Sequence, residues 1–290
     1  MSRARSRLLA IESPFPEAHS MLRVLEPPGS CPEALCKRLF DGTYDKPFIV
    51  DDGRCRFLHF DFDAVQSAME MQDPHKLTLA YTRKMMAFLL FHRAPERILL
   101  LGLGGGSLAK FCHRHLRSVA LTAIEINRDV IALREEFCIP ADDDRFRVIH
   151  ADGATYVSRL ASCKDVIMAD GCDREGIAPE LSSVEFYQAV RRSLAPGGVF
   201  VTNVCGDPAT RAAHLLKLRD AFDDEFLTLP VKTKGSFIAF GFRERRAPEP
   251  WSDLGLLAAE LRRRYGLDFP KFARRIELES KLRGWQRAFT

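Results

Sequence analysis

A chain of 290 residues with 46% apolar content can bury a full core, which excludes a disordered or fibrous protein and fits one large domain with an appendage. The formal charge of +4 comes entirely from Arg246–Thr290, where ten Lys/Arg face six Asp/Glu; so local an excess reads as a solvated helix face and argues against a nucleic-acid partner. No apolar run approaches the roughly 18 residues of a membrane span, and the basic start offers only Leu-Leu-Ala-Ile before Pro14, so neither membrane insertion nor secretion is expected.

In chain order, residues 1–45 are rich in Pro, Ser and Glu and form an extension whose order the sequence leaves open. Residues 46–75 alternate as short strands around Asp51-Asp52-Gly53 and predict a small β-hairpin module. A helix is expected from Pro74 to His92, with Leu77, Leu79, Ala80, Met85, Phe88 and Leu89 as its apolar positions. Strands then alternate with helices across 76–245: Ile98–Leu101, Ala120–Glu125, Phe146–His150, Asp165–Asp170 and Val199–Val204. Asn127 and Asp129 are cap candidates, Pro196-Gly197-Gly198 turns into the fifth strand, and Phe226–Leu229 with Ser236–Phe242 reads as a closing antiparallel pair. Residues 246–290 form a basic helical tail. The expected class is α/β, a Rossmann-like doubly wound, mostly parallel sheet.

Where the first of these strands ends, Gly102, Gly104, Gly105 and Gly106 fall within five positions, and Glu125 closes the next strand 23 positions after Gly102. Strand, glycine turn, helix, strand, acid is the arrangement that lays a nucleoside against main-chain N–H groups and gives its ribose a carboxylate. The contiguous glycines differ from the Gly-x-Gly-x-x-Gly of dinucleotide binders, so a mononucleoside fits better than NAD. Asp152-Gly153 after the third strand and Asp170 at the end of the fourth would rim the same crevice. Eight cysteines without a Cys-x-x-Cys pair read as reduced thiols of a cytoplasmic protein, and Cys112, His113 and His115 lack the helical spacing of a metal site, so no metal is expected.

The glycine run, Ala123-Ile124-Glu125-Ile126, Ala151-Asp152-Gly153-Ala154, Asp170-Gly-Cys-Asp173-Arg-Glu-Gly176, Glu185-Phe-Tyr187 and Leu194-Ala-Pro-Gly-Gly-Val199 together resemble the spermidine synthase (polyamine aminopropyltransferase) family over about 46–243. The resemblance implies that S-adenosylmethionine, in its decarboxylated form, lies against Gly102, Gly104, Gly105, Gly106 and Ile126, with Glu125 at the ribose and Asp152-Gly153 at the adenine. It further implies that Asp170 deprotonates an attacking amine while Asp173 holds the cationic acceptor, with Gln66, Tyr81 and Tyr187 beside the substrate. A small-molecule amine as acceptor and a homodimer follow from the same likeness.

Two departures stand out: Gly105 occupies the position of an aspartate that contacts the donor's amine in the family, and Lys232, Thr233 and Lys234 fall where the family usually places Tyr and Gly-Gly. Three functions therefore stay open. They are aminopropyl transfer, methyl transfer from S-adenosylmethionine on the same frame, and nucleoside binding with little catalysis.

Overall fold

The computed structural model describes residues 8–12, 20–171, 178–231, 236–245 and 251–288, and two sheets organise them. The first is an antiparallel meander of β1 (Leu9–Glu12), β2 (Met21–Val24), β3 (Phe48–Asp51), β4 (Cys55–His59) and β5 (Val65–Glu70). Helix α1 (Pro32–Phe40) opens on Pro32, whose missing N–H costs nothing in a first turn, and buries Leu35 and Leu39 one turn apart against Leu22, Val24 and Phe48. The hairpin expected at 46–75 is thus part of a larger sheet. Its partner strands come from the 1–45 stretch, where Met21 pairs with Asp51 and Val24 with Phe48. Strands of four residues among prolines and serines leave too little alternation to be read from sequence.

The helix expected over Pro74–His92 is shorter and divided. Leu79 stays extended, α2 runs Ala80–Met85, and a 3-10 segment follows over Met86–Leu90. Met85 to Leu90 are all buried, so this run has no polar face to impose a 3.6-residue period.

The second sheet has seven strands in the order β11-β12-β10-β9-β6-β7-β8. Strands β6 (Arg97–Leu101), β7 (Ala120–Glu125), β8 (Phe146–His150), β9 (Lys164–Ala169) and β10 (Leu194–Val204) pair in parallel, while β11 (Phe226–Pro230) and β12 (Phe237–Phe242) close one edge antiparallel. Helices α3 (Ser107–His115), α4 (Arg128–Ala132), α5 (Gly153–Ser158), α6 (Val184–Ser193) and α7 (Pro208–Phe222) fill the crossovers. Asn127 caps α4, accepting from Asp129 N–H at 2.8 Å and Val130 N–H at 3.2 Å. The fifth parallel strand starts at Leu194 rather than Val199, and a register shift between those residues absorbs Pro196-Gly197-Gly198. The chain leaves β6 toward β7 and β8, then returns to β9 on the other side of β6. That reversal opens a crevice at the strands' carboxyl ends.

Helices α8 (Trp251–Tyr265) and α9 (Phe269–Ala288) are not an appendage. Leu254, Leu257, Leu261, Phe269, Phe272 and Ile276 belong to the same buried cluster as Ile49 and Leu58 of the first sheet and Ile98 and Phe240 of the second. The composition changes at 76 and 246 therefore do not mark breaks in the core. Charge had drawn attention to the tail's wet face, while the apolar stripe at 254, 257 and 261 decides its position. Among the described residues no helix is long and apolar enough to cross a membrane. Among the described residues six cysteines are free, but Cys205 just after β10 is disulfide-bonded, against the expectation of reduced thiols throughout.

Candidate active site

The crevice holds a cavity of about 1000 Å³ floored by the ends of β6, β7 and β9 and walled by β5, the β4–β5 loop and the end of β10. The glycine turn forms its centre. Gly102 has φ +92°, and a Cβ there would stand 2.5 Å from the Asp170 carbonyl, so only glycine lets β6 and β9 close at this point. Gly102 and Gly104 line the cavity; Gly105 and Gly106 do not. A Cβ on Gly105 would lie 2.7 Å from Ser67 Oγ and 2.9 Å from Phe137, and one on Gly106 would lie 2.4 Å from Ile139. These two glycines were expected against the ligand, yet they allow β5 and the 137–139 strap to pack onto the turn. Lys110 fixes that strap by donating from Nζ to the Phe137 carbonyl at 2.6 Å, and burial pushes its ammonium down to about 8. The aspartate expected of the family at position 105 has no room here.

Glu125 is buried and tied at both oxygens, Oε2 accepting from Leu103 N–H and Oε1 from Asn127 N–H, each at 2.9 Å. Each oxygen keeps a lone pair for a hydroxyl in the cavity it lines. Ile126 beside it is 65% exposed, an apolar face open to the same space. Asp152 and Gly153 also line the cavity, and Asp152 doubles as the cap of α5 through Thr155 N–H at 2.7 Å. Hydrogen bonds from Thr155 hold its carboxyl below the usual range, against the opposing effect of burial.

At the other end, Asp170 follows β9 and meets two side chains from distant segments. Tyr81 Oη donates to Asp170 Oδ2 at 3.0 Å, and the Asn203 amide donates to the same carboxylate. Burial dominates and pushes Asp170 up to about 6, while the hydrogen bonds from Tyr81 and Asn203 pull it back. Burial, then the Asp170 charge, raises the Tyr81 hydroxyl well above its ordinary value, so it stays a donor. A carboxyl that changes charge near neutrality beside a fixed donor is equipped to take a proton.

Gln66 lines the cavity. Tyr187, expected at the substrate, is instead fully buried among Phe186 and Phe200, with its hydroxyl 3.3 Å from His214 Nδ1. It sits on the inward face of α6, where an aromatic ring of a Glu-Phe-Tyr run packs the core. Asp173, Cys172 and Lys232 to Lys234 lie outside the described residues. Sequence reasoning missed Asn203, Ser67 and Ser107. Asn203 left one signal, a lone amide near the end of the apolar run Val199–Val204; the two serines, whose hydroxyls lie 3.5 Å apart, left none. Among the described residues no cluster of His, Cys, Asp or Glu could hold a metal ion.

The cavity wall carries Asp63, Glu125, Asp152, Asp170 and Glu180, and no Lys or Arg among the described residues. Comparison with known proteins places the chain in a family. The spermine/spermidine synthase domain profile matches residues 78–225. A polyamine aminopropyltransferase of Chromobacterium violaceum is 36% identical over 230 residues, covering 79% of this chain and 88% of the relative. Among solved structures, a probable spermidine synthase from Corynebacterium glutamicum superposes with a TM-score of 0.62 at 20% identity, over 74% of this chain and 85% of that one. Human methyltransferase-like protein 13, in complex with SAH, superposes with a TM-score of 0.56 at 27% identity, over 63% and 89% of the two chains.

Proposed function

The chain belongs to the spermine/spermidine synthase family, and from that premise we propose that it is an aminopropyltransferase, moving the three-carbon amine of decarboxylated S-adenosylmethionine to a small amine acceptor of putrescine type. The observation that carries the reading is the acid-lined cavity wall, to which no Lys or Arg among the described residues contributes. Donor and acceptor are both cationic, and five carboxylates with no described Lys or Arg suit them. The carboxylate of undecarboxylated S-adenosylmethionine would find no counter-charge.

In this reading Glu125 binds the ribose hydroxyls, Ile126 packs on the adenine, Asp152-Gly153 bound the base, and Gln66 and Tyr81 border the acceptor. An ammonium has no lone pair. Ionised Asp170 takes the proton the acceptor must shed, the freed nitrogen attacks the sulfonium-bound carbon, and the C–S electron pair leaves with sulfur as neutral methylthioadenosine. Because the sulfonium is already an activated leaving group, most of the remaining acceleration comes from alignment. Tyr81 and Asn203 hold the Asp170 carboxylate in place for it. Asp173 would complete the acceptor site, as the family resemblance implies.

A second reading, methyl transfer from S-adenosylmethionine, draws on one observation: Ser67 and Phe137 fill the space where an aspartate would reach the donor's amine. Titrating the protein with both donors and methylthioadenosine separates the two. Aminopropyl transfer requires tighter binding of decarboxylated S-adenosylmethionine and formation of methylthioadenosine in the presence of a diamine. Preference for S-adenosylmethionine, with S-adenosylhomocysteine as product, replaces it with the second.

A further inference from the structure

Helix α3 begins at the acidic cavity, where Ser107 and Leu108 form part of the wall, and ends at another of opposite character. This second cavity, about 540 Å³, is lined by His75, His113, Arg114, Arg117 and Arg145. No carboxylate among the described residues lines it.

Cations at a helix C-terminus have an ordinary explanation, since they complement the carbonyl end of the dipole. Arg145 does this, donating from Nη1 to the Arg117 carbonyl at 3.1 Å and from Nη2 to the His113 carbonyl at 3.3 Å. His113 is likewise occupied, with Nε2 2.8 Å from Asp143 Oδ2. The guanidiniums of Arg114 and Arg117 have no hydrogen bond or ion pair among the described residues. His75 Nδ1 is buried without a partner. Burial first, then Arg114, holds His75 below its ordinary value, and the same two causes act on His115, with Asp73 opposing both. The site thus holds more positive charge than the helix end consumes.

We propose that this cavity binds a small phosphate-bearing anion of about pyrophosphate size. Guanidinium forks match phosphate oxygens two at a time, which single ammonium groups do not. The acidic cavity cannot be the host, because its five carboxylates repel such a ligand. The inference is independent of which group the other cavity transfers.

The test is calorimetric titration of the full chain with pyrophosphate at constant ionic strength, with and without saturating methylthioadenosine. Saturable single-site binding is expected, indifferent to methylthioadenosine and weakened at least tenfold in the Arg114→Glu, Arg117→Glu double variant. Both residues are exposed, and an unchanged melting temperature confirms folding; if the double variant does not fold, the same loss is required of Arg114→Gln. No saturable binding, binding that survives these substitutions, or heat that follows ionic strength alone would overturn the site. Tighter binding of a 5′-phosphorylated oligonucleotide than of pyrophosphate would also overturn it, by assigning the face to nucleic acid.

Discussion

The two ends of the large cavity are built from different material. At the glycine turn, Glu125 is held by main-chain N–H groups of Leu103 and Asn127, and the elements involved adjoin along the chain from Arg97 to Asn127. At the Asp170 end the contacts are between side chains, Tyr81 from α2, Asp170 after β9 and Asn203 from β10, separated by 89 and 33 positions. The first end resists change in any one side chain, because the backbone supplies most of the donors. The second depends on three particular residues and on a carboxyl whose charge is poised near neutrality.

The sharpest way to break this contrast is Asp170→Asn. Loss of the base should cut kcat by about 10²- to 10⁴-fold while donor affinity stays within a few-fold, since Tyr81 can still hydrogen-bond the amide. Single-turnover rates and methylthioadenosine binding check the split, and unchanged turnover would remove Asp170 as the base. The same variant tests the burial argument through stability. Asp170's pKa is raised on folding to about 6 from 3.8, so its contribution is fully present below the unfolded value and lost as pH rises through about 6. Asparagine should therefore raise the melting temperature at pH 8 relative to the parent more than at pH 5.

Glu125→Gln should do the reverse. An amide opposite either Leu103 N–H or Asn127 N–H sets donor against donor, and losing a charge-assisted hydrogen bond costs about 1.5–3 kcal/mol. Donor KM should rise about 10- to 100-fold with kcat much less affected; a kcat effect larger than the KM effect would show that the two ends are not separable. Smallest is Tyr81→Phe. The parent's kcat/KM should fall as pH drops through about 6 and Asp170 takes a proton. Removing the Tyr81 hydroxyl, which pulls that pKa down, should move the acid limb to higher pH by less than about one unit. A limb that stays put or moves lower would mean that the contact does not act on Asp170.

The same contrast decides what could be read from residues alone. The strands β6 to β9, the glycine turn, Glu125 and the Asn127 cap are local patterns, and the sequence predicts them close to where they stand. Tyr187 shows the limit of a motif: the ring matches the family's run, but α6 turns it into the core. Gly105 shows another, because a glycine cannot disclose whether a ligand or Ser67 fills the space beside it. Asn203 and the two N-terminal strands were obscured by their neighbours, one by an apolar run and the others by brevity.

The glycine turn is gripped from both directions along the chain, by Ser67 before it and by Phe137 and Ile139 after it, with Lys110 securing the latter strap and Arg56 Nη1 reaching the Glu136 side chain at 2.9 Å. During synthesis from the N-terminus, the turn emerges some thirty residues ahead of the segment that locks it, and Asp170 and Asn203 follow later still. A nascent chain stopped short of Ile139 would carry Gly102, Gly104 and Glu125 yet lack the wedge that sets the shape of the turn. The shape of the turn is therefore completed only late in biosynthesis, when Phe137 and Ile139 arrive to pack against Gly105 and Gly106.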